Sequence, residues 1–135
     1  MENGNQSKNI LVRIGRCIKF WRKLDGHDQE KFSKALNTAR SYVSRLETGH
    51  VGVSISRINE VADVLGISPF TILRGVPEKK ELDTLIELYR SPDLKISKPE
   101  LEQLFCTRIE GKRLTREFYV NLLSIIRSGV YTCDA

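Results

Sequence analysis

Arg40, Ser41, Ser44 and Arg45 fall on one side of a short helical stretch, while Val43 and Leu46, three apart, fall on the other. This outward set is the main side-chain chemistry the chain has to offer. A guanidinium presents a planar fork of donors suited to two acceptors at once, such as O6 and N7 of a guanine edge, whereas a serine hydroxyl meets many acceptors and discriminates little. Tyr42 and Thr48 lie beside the set. Catalysis has less to work with. His27 and His50 are the two histidines, and neither has Cys, Asp or Glu partners at metal-ligand spacing. No Gly-rich phosphate loop or nucleophile elbow is present. Cys17, Cys106 and Cys133 are odd in number and form no CxxC pair, so they indicate neither a disulfide framework nor a zinc site. Two of them are expected to pack inside helices, with Cys133 exposed on the tail. We expect a protein that is not an enzyme and holds no metal or cofactor.

The elements that must position the outward set read as a helix-turn-helix between Asp28 and Gly49. Asp28 is a good N-cap for a helix running to Leu36, with Phe32, Ala35 and Leu36 as its apolar stripe. Asn37 stands where the chain reverses, and Asn tolerates the left-handed backbone better than most residues. Thr38 is the expected cap of the second helix, and Gly49 its stop. Before this motif, a helix from about Asn9 to Lys23 carries Leu11, Ile14, Ile18 and Trp21 on one side, with Trp21 as a core anchor. Gly26 ends it. After the motif, Ser54 caps a helix with Ile58, Val61, Ala62 and Leu65, ended by Gly66. Ser68 and Pro69 then open a last short helix. Five helices over residues 9–75 make one unit, with residues 1–8 as a flexible N-terminal arm.

These residues carry a resemblance. Residues 14–73 resemble the DNA-binding domain of the phage-repressor, Cro-type (Xre-like) helix-turn-helix family, through Arg22, Gly26, Gln29, Ser44-Arg45-Leu46-Glu47-x-Gly49, Leu65-Gly66-Ile67-Ser68 and Ile72-Leu73. The chain departs from the family at His27, usually aliphatic, at Asn37, usually Gly, at Ala39, often Ser or Thr, and at Val53, where Pro is common. The resemblance implies a lambda-repressor-like fold and places Arg40, Ser41 and Arg45 against base edges in the major groove. It implies a backbone-phosphate contact for Gln29 at the start of the second helix, with Tyr42, Ser44 and Thr48 as further phosphate candidates. It also implies a partly buried ion pair between Arg22 and Glu47, structural in role.

Composition agrees with this reading. The 135 residues carry a net charge of +5 and 40% apolar side chains, enough for a packed core. Residues 1–75 hold 12 Lys or Arg against 7 Asp or Glu, and the remainder hold 10 of each, so the attraction to a polyanion belongs to one half. No run approaches a membrane span and the polar start lacks a signal peptide's apolar core, which points to a cytoplasmic protein.

Gly75 and Pro77 suggest a boundary, with residues 76–135 as a helical self-association region. Leu82, Leu85, Ile86 and Tyr89 form one stripe. Ser97 and Glu100 make a capping box ahead of Leu101, Leu104, Phe105 and Ile109. Thr115 caps a final helix that is apolar over more than one stripe, so Phe118, Leu122, Ile125 and Ile126 are left to face a second surface, most simply another copy of the chain. The fold expected is all-α, a five-helix DNA-binding domain with a small C-terminal helical hairpin. The function expected is a sequence-specific transcriptional regulator, by default a repressor, binding double-stranded DNA at a two-fold symmetric operator as a homodimer. Its rivals are a DNA-binding antitoxin, whose C-terminal helices also mask a toxin, and a protein-interaction adaptor that no longer binds DNA.

Overall fold

A computed structural model describes the backbone of residues 2–129 and the side chains of residues 9–129, so Cys133 lies outside the described residues. Among the described residues there are eight helices: α1 (Glu2–Leu24), α2 (Gln29–Ala35), α3 (Arg40–Glu47), α4 (Ile55–Leu65), α5 (Pro69–Arg74), α6 (Lys79–Arg90), α7 (Lys98–Cys106) and α8 (Arg116–Arg127). There is no strand among the described residues, and none of these helices is long and apolar enough to cross a membrane. The chain divides between Val76 and Pro77 into two compact units. The sequence starts its first helix near Asn9 with an arm before it, whereas α1 is helical back to Glu2. A helix already nucleated propagates cheaply, and residues 2–8 contain no proline to stop it.

In the first unit α1 packs on α3, α4 and α5, α2 on α3, and α4 on α5. Ile18, Trp21, Phe32, Leu46, Leu65 and Ile72 are fully buried, each worth about 1.5–3 kcal/mol of transfer free energy or more. Cys17 is buried too, its thiol donating to the Thr71 carbonyl on α5 at 3.4 Å. Local chemistry sets the helix limits. Asp28 accepts from the Lys31 amide at 2.7 Å, Ser54 from Arg57, and Ser68 from Phe70 ahead of Pro69. Three successive helices stop in the same way. Gly26, Asn37 and Gly49 all have positive φ, at 75°, 56° and 77°, and the amide after each returns to a carbonyl of the last turn, Arg22, Ser33 and Arg45 respectively.

One expected cap is corrected. Thr38 does not cap the second helix: α3 begins one residue later, with Ala39 at the N-cap and no side-chain hydrogen bond there. The Asn37 turn brings the Thr38 amide onto the Ser33 carbonyl at 2.9 Å, which makes Thr38 part of the end of α2.

The second unit packs α6, α7 and α8 on one another. It is a three-helix unit where the sequence suggests a hairpin. Its core is Leu85, Leu88, Ile96, Leu101, Leu104, Phe105, Leu114, Tyr119 and Leu123. α6 is turned from its expected stripe. Glu81, Leu85 and Leu88 face inward, while Leu82, Ile86 and Tyr89 are half-buried. Glu81 goes inside because it finds donors there, accepting from the Leu114 amide at 3.3 Å and the Tyr119 hydroxyl at 3.2 Å. Burial first, and the Glu81 carboxylate next, push the Tyr119 phenol well above its usual pKa. Ile109 lies beyond the end of α7 and is 40% exposed, not part of its buried face. The capping box of Ser97 and Glu100 is formed, and Arg127 of α8 reaches back to Glu100 at 2.8 Å and to the Leu94 carbonyl at 2.7 Å.

The Arg127 hydrogen bond, with help from Ser97, lowers the Glu100 carboxyl from 4.5 to about 2. A depressed folded-state pKa contributes stability that is complete above the unfolded value and lost as pH falls through the folded one. Thermal unfolding followed by circular dichroism should therefore show the protein losing stability between about pH 4.5 and 2, with part of that dependence removed in Arg127→Gln.

Candidate nucleic-acid interface

α3 presents Arg40, Ser41, Ser44, Arg45 and Thr48 to solvent and buries Val43, Leu46 and Glu47. The expected outward set thus shares one exposed face, with Tyr42 half-buried at its edge. Two guanidiniums on this face make it electropositive.

The face is held in place mainly at the C-terminal end of α3. Arg22 Nε and Nη2 bond both carboxylate oxygens of Glu47, at 2.5 and 3.0 Å, with the two residues 5% and 4% exposed. Arg22 Nη1 donates to the His27 carbonyl at 2.7 Å. The implied ion pair is therefore bidentate and buried, with its remaining polar groups engaged. His27, at the α1–α2 turn, is half-buried.

Gln29 belongs to the same network. Its side-chain amide donates to Glu47 Oε1 at 3.1 Å, which ties the start of α2 to the end of α3. An amide nitrogen carries two hydrogens, so one is used internally and one is left for an acceptor outside. Thr48 is more fully committed. Its hydroxyl donates to the Ser44 carbonyl at 2.9 Å, which leaves its oxygen to accept from His50 Nδ1 at 2.7 Å. Tyr42 has the Arg57 guanidinium over its ring, 5.2 Å from the centroid. Of the phosphate candidates, Gln29 and Thr48 hydrogen-bond within the protein through their side chains, whereas the side chains of Ser44 and Tyr42 make no hydrogen bond among the described residues.

Two positions that the motif does not display are central to the geometry. Gly15 lies in the middle of α1, where glycine costs about 1 kcal/mol relative to alanine. Its reason lies across the unit: a Cβ there would stand 2.5 Å from the Leu46 carbonyl oxygen and 2.6 Å from that of Glu47, so the missing side chain lets α1 rest on the end of α3. Gly49 needs its hydrogen twice, for its left-handed φ and because a Cβ would meet Val12 at 2.8 Å. The mid-helix glycine is the sequence signal that could have exposed the first contact. Arg57 is the other missed residue, since nothing in its local pattern marks its reach to Tyr42.

Over 54 residues the chain is 44% identical to YazB of Bacillus subtilis (strain 168), described as an uncharacterized HTH-type transcriptional regulator, a stretch that covers 40% of this chain and 78% of that protein. The helix-turn-helix family matches residues 18–72. The chain belongs to the helix-turn-helix family of Xre and lambda-repressor type. Its place there makes it a DNA-binding transcriptional regulator. Among solved structures it is similar to a hypothetical transcription factor, NHTF, from Neisseria, with a TM-score of 0.48 and 22% identity over 57% of this chain and 86% of that one.

Two changes in this helix-turn-helix unit test the account without DNA. Glu47→Ala strands Arg22 inside the protein and should lower unfolding free energy by about 3–5 kcal/mol, as for a broken buried pair. Gly15→Ala should also destabilise, by up to about 2 kcal/mol, since a Cβ 2.5 Å from backbone brings an overpacking cost of about 1–3 kcal/mol against a helix-propensity gain of about 1 kcal/mol. Chemical denaturation of the free protein measures both.

Proposed function

We propose that this regulator is a repressor that binds a two-fold symmetric operator as a homodimer, with α3 in the major groove of double-stranded DNA. The observation that carries the reading is the exposed α3 face of Arg40, Ser41, Ser44 and Arg45, backed by the buried Arg22–Glu47–Gln29 network. In this reading Arg40 and Arg45 read base edges as bidentate donors and Ser41 adds a tolerant contact. Gln29 offers its second amide hydrogen to a phosphate, and Ser44 a hydroxyl. Tyr42 and Thr48 support the surface more than they bind, given their internal partners. The positive charge of the N-terminal half favours DNA over an adaptor role. Action in the cytoplasm follows from the same reading.

Dimerisation is assigned to the second unit. Tyr119 and Leu123 take the buried side of α8, whereas Phe118, Leu122 and Ile126 are half-buried and Ile125 is 47% exposed, an apolar stripe that flanks the buried one. Another copy of the same helix is a natural cover for it. A toxin would be the alternative cover, and this is the one feature that keeps the antitoxin reading in play.

Truncation after Gly75 separates the two roles, because the first unit has its own core. The shortened protein should be a folded monomer whose operator affinity falls about a hundredfold or more, since a dimer links two half-site contacts about 34 Å apart. Its salt dependence should fall as well, as about half the phosphate contacts are lost. Light scattering gives the mass, and titration of a site selected from a random duplex pool at two salt concentrations gives the rest. A monomeric full-length protein would move the stripe on α8 to a different partner.

A further inference from the structure

The two ends of α3 are held unequally. Its C-terminal end is gripped by the Gly15 contact, by Arg22 and Gln29 on Glu47, and by Gly49 against Val12. Its N-terminal end has no side-chain cap, because Ala39 stands at the N-cap. This is the end that carries Arg40 and Ser41, so whatever fixes it decides which bases they can reach.

One side chain spans that end from outside the motif. Arg57, on α4, lays its guanidinium over the Tyr42 ring of α3 at 5.2 Å and donates through Nη1 to the Leu36 carbonyl at 3.4 Å. Leu36 is the C-cap of α2, and its carbonyl belongs to the group that a helix end leaves without an internal donor. Glu60, one turn further along α4, holds the same nitrogen at 3.0 Å and keeps the guanidinium from swinging into solvent. The Arg57 side chain is 26% exposed, so its cation is only partly screened where it meets the ring. One residue of α4 thus touches the end of α2 and the start of α3, the two elements whose relative angle defines the motif.

We propose that Arg57 is the positioning residue for the reading end of α3 and thereby a determinant of base specificity, an inference that rests on the DNA-reading role of α3 proposed above. It acts through Tyr42 and Leu36 and contacts no base itself. Arg57→Met keeps the aliphatic stem and removes the charge and the donors. Arg57→Lys keeps the cation and loses the fork.

The test uses the full chain and a site selected from a random duplex pool, with a scrambled duplex for comparison. Arg57→Met should weaken the selected site about tenfold or more, the value of one bidentate base contact, and the scrambled duplex by less than about threefold. Tyr42→Leu should do the same, and the double variant should be no worse than either alone, since both remove one clamp. Arg57→Lys should recover part of the loss. Equal losses on both duplexes would make Arg57 a phosphate contact and overturn the proposal, as would additive losses in the double variant. A readout without DNA keeps the two proposals apart. In Arg57→Met the Tyr42 and Val43 amides, which bond the Ala39 carbonyl at 3.0 and 3.3 Å, should exchange hydrogen faster, while the Thr48 and Gly49 amides at the other end keep their rates. Uniform exchange along α3 would overturn the positioning role even if the protein bound no DNA at all. Normal exchange changes in a protein that binds neither duplex would instead count against the DNA-reading role alone.

Discussion

One buried carboxylate organises the DNA-binding unit. Glu47 receives Arg22 from α1 on both oxygens and Gln29 from α2 on one of them, while Arg22 also bonds the His27 carbonyl in the turn between those helices. Removing two charges from water costs several kcal/mol per ion, and a pair recovers that only with good geometry and with its other polar atoms satisfied. Both conditions hold here. The end of α1, the turn after it, the start of α2 and the end of α3 all converge on a single side chain. These bonds tie the four pieces together in this arrangement, so a stability cost becomes a constraint on shape.

That constraint works only because the backbones come close enough. Gly15 removes the side chain that would separate α1 from the last turn of α3, and Gly49 removes the one that would collide with Val12. The identical stops at Gly26, Asn37 and Gly49 then keep the helices short and direct each chain exit back over its own last turn. The second unit uses a polar anchor of its own, with Glu81 receiving Tyr119 and the Leu114 amide inside a largely apolar core.

Much of this is legible in the residues. Asp28, Asn37, Gly49, Ser54, Gly66, Ser68, Ser97 and Thr115 punctuate the helices through local chemistry, and local chemistry is what a sequence displays. The outward face of α3 follows from its period. What escapes is decided across the fold. Gly15 looks like a defect until the Leu46 and Glu47 carbonyls are beside it. Arg57 looks like a surface arginine until Tyr42 is beneath it. Thr38 is a better intrinsic cap than Ala39, yet the left-handed Asn37 commits Thr38 to α2. α6 rotates away from its most apolar stripe because Glu81 has donors supplied by residues over thirty positions away, a pairing no local period can contain. Gln29 shows the same limit, since its internal partner lies on another helix.

Among the described residues, the Arg40, Ser41, Ser44 and Arg45 side chains make no hydrogen bond within the protein, while Arg22, Glu47, Gly15 and Gly49 do the holding. The two sets do not overlap. Mutational pressure to keep the molecule folded therefore falls on one group of codons, and pressure to keep its target falls on another. A duplicated copy of such a chain can drift to a new recognition sequence through the outward positions alone, with no compensating change in its interior.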